Sequence, residues 1–84
     1  MRNYRVSIHV DLLEVIPARG KAREQIMEFV KSLSHSPSLE GDYSEKDDTE
    51  RSLEVSVVGD YAIVFWADIP ANMVMVVDIR RADH

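Results

Sequence analysis

The stretch Val58–Asp83, VGDYAIVFWADIPANMVMVVDIRRAD, decides how this chain folds. Gly59-Asp60 sits between two apolar runs and has the form of a two-residue hairpin turn with glycine first. A turn of that length sets the register, pairing Val57 with Ala62, Val55 with Val64 and Leu53 with Trp66. These residues are all apolar and share one face, so that face is expected to pack on a helix. The opposite face carries Val58, Ser56 and Glu54 across from Tyr61, Ile63 and Phe65. It is more apolar than a solvated face needs to be, which marks Val58, Tyr61, Ile63 and Phe65 as a candidate partner surface. Pro70-Ala71-Asn72 then turns the chain into Met73–Arg80, which is apolar on both sides until Asp78 and Arg80. A strand of that kind belongs in the middle of a sheet or under a partner.

Working back from this hairpin, Tyr4, Val6, Ile8, Val10 and Leu12 alternate with Arg5, Ser7, His9 and Asp11, the period of a half-buried strand. Beyond Pro17 and Gly20, the residues Ala22, Ile26, Phe29, Val30 and Leu33 line one face of an amphipathic helix. Pro37, with Ser34, Ser36 and Ser38, closes that helix. Lys31 and His35 lie toward its C-terminal end, where positive charge suits the dipole. The polar segment from Ser38 to Arg51 is expected to hold a short strand around Asp42–Lys46 and a turn at Asp47–Asp48. The fold class that results is α+β: a small antiparallel β-sheet of four to five strands packed on one long helix, in the order β-α-β-β-β with room for one further strand. Residues 1–84 are expected to form a single domain.

Composition narrows the function classes. The net charge of −5 is concentrated in one place: between Glu40 and Glu54, seven acids face only Lys46 and Arg51, while elsewhere acids and bases cancel. A neutral body with one acidic segment exerts no global pull on a polyanion. Cysteine is absent, which removes disulfides, thiolate metal sites and thiol nucleophiles together. No apolar run approaches the roughly 20 residues needed to span a bilayer. The N-terminus alternates instead of carrying a signal-peptide core, so no membrane association and a cytoplasmic location are expected. No metal or cofactor is expected either. His9, His35 and His84 are scattered, with His9 on the polar face of its strand. The acids around Asp47 lack the glycine and terminal glutamate of a calcium loop. Gly20-Lys21 lacks the remainder of a phosphate loop, and no serine sits in a nucleophile elbow.

The basic residues carry more interest. Arg19, Lys21 and Arg23 cluster where the helix begins, a placement its dipole does not favour, and form a candidate docking patch for phosphates or an acidic partner. Arg80 and Arg81 end the last strand and, being adjacent, point to opposite faces, so at most one joins any given site.

The phrases EGDYSEKD at Glu40–Asp47, VGDYAIVFWAD at Val58–Asp68 and VVDIRRAD at Val76–Asp83, in this order after a strand and a helix, resemble the RelE/ParE toxin superfamily. They are similar in particular to its short plasmid-stabilisation proteins. The resemblance implies a toxin of a type II toxin–antitoxin pair, acting on translation at the ribosome or on DNA gyrase and neutralised by an antitoxin protein. The ribonuclease members act as metal-independent endoribonucleases through strand lysines and arginines with a C-terminal tyrosine. Here Leu53 and Val55 stand where lysines are wanted, and Ala62 stands where an arginine follows the hairpin tyrosine. Arg81 is the match to a family arginine, and Lys46, Arg51 and Arg81 are the candidate phosphate or target contacts. The competing expectation is a non-enzymatic interaction module, a degenerate toxin fold that binds a partner or pairs with itself as a homodimer.

Overall fold

The computed structural model describes residues 3–35 and 40–82. Strand β1 spans Arg5–Ile8, helix α1 Lys21–Ser32, and strands β2 to β5 span Tyr43–Lys46, Ser52–Val58, Tyr61–Asp68 and Met73–Arg81. Short 3₁₀ turns cover Val10–Glu14 and Leu33–His35. The five strands form one sheet in the order β1-β5-β4-β3-β2. Strands β2 to β5 are antiparallel neighbours, as expected, while β1 joins the outer edge of β5 in parallel and makes the sheet mixed. Among the described residues, no helix is long and apolar enough to cross a membrane.

The β3–β4 hairpin has the register read from its turn: Val55 opposes Val64, Val57 opposes Ala62, and Val58 opposes Tyr61. Gly59 takes φ +60°, which an L side chain rarely adopts. Gly41 is required for a different reason. A Cβ there would fall 2.5 Å from the carbonyl oxygen of Val55, so only glycine lets the lead-in to β2 lie against β3.

Strand β1 is shorter than the alternation Tyr4–Leu12 suggests. The His9 imidazole accepts a hydrogen bond from the Asp11 backbone N–H at 3.2 Å and caps the 3₁₀ turn, which leaves Val10 exposed. Helix α1 buries Ile26, Val30 and, just past its end, Leu33, with Ala22 and Phe29 half-buried beside them. The expected helix-closing residues Ser36, Pro37 and Ser38, and also His84, lie outside the described residues.

Which face of the hairpin meets the helix is the reverse of the sequence expectation. Ile63 and Phe65 are fully buried in one cluster with Ile26, Val30, Leu33, Val74, Val76 and Ile79, and Val58 and Tyr61 pack against it half-buried. Phe29 meets Phe65 edge to face, with ring centroids 6.0 Å apart. The candidate partner surface Val58, Tyr61, Ile63 and Phe65 is therefore the core beneath the helix. Leu53, Val55, Ala62 and Val64, assigned to the helix, form a separate cluster on the other side of the sheet with Trp66 and Ala82. The hairpin could not decide the matter because both its faces are apolar. Its neighbours decide it: Asp78 and Arg80 on β5, and Glu45 on β2, fall on the Leu53 side, and their charges keep that side toward water.

Truncating the two sides should separate them. Ile63→Ala should lower unfolding free energy by about 2–5 kcal/mol, while Val57→Thr, at the rim of the open face, should stay within about 0.5 kcal/mol. Denaturant titration of both variants checks this.

Candidate functional site

The face of the sheet away from α1 is the candidate site. Its floor is apolar, with Leu53 8%, Val55 0%, Ala62 2% and Val64 1% exposed. Among the described residues no helix covers it; side chains on the same face do. β2 contributes Tyr43 and Glu45, which stand opposite Val55 and Leu53. β4 contributes Trp66, and β5 contributes Met75, Asp78 and Arg80, opposite Trp66, Val64 and Ala62.

A charged strap crosses this floor. The Arg80 Nη2 donates to Glu45 Oε2 at 2.9 Å, and its Nη1 donates to Asp78 Oδ2 at 3.3 Å. One end lies on β5 and the other on β2, so the bridge passes over both intervening strands. Ala62, the smallest floor residue, lies directly opposite Arg80, where its lack of bulk leaves room for the arginine stem. The Glu45 hydrogen bond, with further ones to Asp78 and Tyr43, raises the Arg80 pKa above its already high ordinary value, so the guanidinium is charged throughout. All the bridging side chains are more than a third exposed, at 41%, 35% and 47%. A pair that wet contributes less than about 1 kcal/mol.

At the far end of the face the Arg51 guanidinium lies 4.7 Å from the centroid of the Trp66 ring, a cation–π contact. Arg51 is also held by Asp47, whose Oδ2 lies 3.7 Å from Nε. Asp47 organises the whole turn: its Oδ1 accepts from the Thr49 N–H, the Thr49 hydroxyl and the Arg51 N–H at 2.8–2.9 Å. Those donors, the Thr49 hydroxyl foremost, hold the Asp47 carboxyl below the usual aspartate value. Much of the acidic segment is thus spent internally. Asp42 accepts from the Val57 N–H at 2.7 Å, and Glu54 accepts from Gly41 and Ser44 at 3.0 Å.

The candidate contacts Lys46, Arg51 and Arg81 are not brought together. Arg51 is on the open face. Lys46 is exposed at the same end, but it alternates away from Glu45 and so points to the other side. Arg81 stacks 5.4 Å from the Tyr61 ring on the helix side. Since Arg81 pairs with Tyr61 and Tyr61 with Val58, it sits the length of β3 away from Arg51, about 20 Å at 3.3 Å per residue. Of the adjacent pair Arg80 and Arg81, Arg80 is the one on the open face. Asp78 and Arg80 share a strand face by their spacing, a signal visible in the sequence, but their partner Glu45 lies three strands distant. Of the basic cluster before the helix, Arg23 donates to the Pro17 carbonyl at 3.2 Å and ties down the preceding loop, while Arg19 and Lys21 are exposed. Among the described residues, no group of three or more His, Asp or Glu side chains converges to hold a metal.

A scan against protein-family models finds no match, and a search of curated proteins by sequence finds none. Solved structures do match. A chain of the archaeal RelE–RelB complex from Pyrococcus horikoshii OT3 is similar at a TM-score of 0.73 and 19% identity, over 94% of this chain and 94% of that one. At that identity the likeness is one of fold, and the fold is RelE-like.

Two outcomes are expected of this site. Arg51→Ala should shift Trp66 emission and change stability by less than about 1 kcal/mol. The ordering that Asp47 supplies is present above the usual aspartate range and lost as pH falls through its lowered value. The Thr49 and Arg51 amide signals in NMR should therefore move only below about pH 4, and Asp47→Asn should abolish that transition.

Proposed function

We propose that this chain is the toxin-like component of a type II toxin–antitoxin pair, acting on translation or on DNA gyrase and neutralised by a bound antitoxin protein. The observation that carries the reading is the RelE-like fold, shared over nearly the whole length with a chain from a complex of RelE with RelB. The hairpin and C-terminal phrases of the sequence lead to the same superfamily independently. The target-facing surface is the open side of the sheet, with Arg51 and Arg80 as its contacts; Lys46, exposed at the same end, points to the other side. Arg81, on the helix side, has no part in it.

The chemistry of that face favours binding over cleavage. Cleavage of RNA without a metal needs a base for the attacking 2′-hydroxyl, an acid for the leaving 5′-oxygen and a positive clamp on the phosphorane. Leu53, Val55 and Ala62 fill the positions where lysines and an arginine are wanted, and they are buried. Arg51 and Arg80 are each bound to a carboxylate of the same chain. The same observation supports a second reading, a non-enzymatic interaction module in a degenerate toxin fold that binds a partner or a second copy. Tyr43 and Val57, 49% and 40% exposed on this face, would be its contacts.

Induced expression in bacteria separates the two readings. Growth arrest is expected, weakened by Arg51→Ala, with translation and DNA supercoiling followed in parallel to identify the target. Healthy growth at high soluble yield would leave only the interaction module.

A further inference from the structure

The Arg80–Glu45 bridge contributes little stability in its wet setting, yet it spans the open face from β5 to β2. Each terminal nitrogen of Arg80 holds the oxygen of a different carboxylate, Glu45 on one and Asp78 on the other. This is how a guanidinium grips the oxygens of a phosphate group, with the chain's own carboxylates in their place. Glu45 comes from the four-residue edge strand β2, which is hydrogen-bonded to the sheet on one side only. Its side chain is a third exposed, and side chains in contact with water change rotamer on a picosecond-to-nanosecond timescale.

We propose that Glu45 is a built-in blocker of an oxyanion site centred on Arg80. It occupies the guanidinium as an incoming phosphate group would, and keeps the open face silent toward polyanions until it is displaced. The site it closes comprises Arg80, the floor residues Ala62 and Val64, and the Arg51–Trp66 pair. The inference deepens the target-contact reading and rests on it, since a blocked cation matters only if this face meets phosphate.

Trp66, the single tryptophan of the chain, reports on this face directly. Tripolyphosphate titrated at low ionic strength, where screening is weak, is read by Trp66 fluorescence. The wild-type protein should bind weakly, and Glu45→Gln should bind about tenfold tighter, the effect of restoring one charge-assisted hydrogen bond to the ligand. Asp78→Asn should shift affinity the same way, and the gain should vanish when either is combined with Arg80→Gln. Both single variants should melt close to wild type.

No gain in either variant, or a gain that survives the loss of Arg80, overturns the proposal. So does unfolding of both variants, which would make the bridge a structural tie. An equal gain for a glutamate-rich peptide would overturn the phosphate assignment. The titration has no growth readout. Growth arrest without the tripolyphosphate gain therefore defeats only the Glu45 inference, and the gain with harmless expression defeats only the toxin reading.

Discussion

A one-residue irregularity between β4 and β5 governs which residues of β5 join the core and which join the open face. Val64 pairs with Asp78 and Phe65 with Val76, so Val77 is left without an opposite number. Side chains alternate with a period of two, and a slip of one residue moves every later side chain to the other face. The extra residue places Val74 and Val76 beneath the helix together with Ile79, where an unbroken ladder would have sent Met75 and Val77. β1 then adds Val6 and Ile8 to the same side through its pairing with Val74 and Val76. The core consists of what this slip collects.

The open face is the complement of that choice. Among the described residues no helix covers the buried Leu53, Val55, Ala62 and Val64, and the cover comes from long side chains lying flat: Arg80 reaching Glu45, and Arg51 on Trp66. Lysine- and arginine-type stems do this well because their methylenes shield apolar surface while the charge stays in water. The consequence for function is direct. Arg51 and Arg80, the proposed phosphate contacts, are also the side chains that roof the floor, and each is already engaged by a carboxylate of this chain.

The acidic segment also changes meaning once folded. Asp42, Glu45, Asp47 and Glu54 each accept a hydrogen bond that shapes the β2–β3 hairpin or ties it to β5. Asp47 closes the turn with three bonds, and Glu54 steadies the close approach of Gly41. What remains free for a partner is a smaller charge than the composition suggests.

Local information settled the helix over Ala22–Leu33, the Gly59-Asp60 turn, the β3–β4 register and the α+β order, because periodicity and turn chemistry act between residues close in the chain. It also separated Arg80 from Arg81 by strand alternation. The sequence alone could not choose the buried face of a hairpin apolar on both sides, nor see that β1 returns to pair in parallel with β5. Nor could it show that Arg80, not Arg81, shares a face with Glu45. Those outcomes depend on contacts between residues 35 or more apart and on the slip at Val77. Only the assembled sheet, where charge and burial on all its strands are decided together, contains that information.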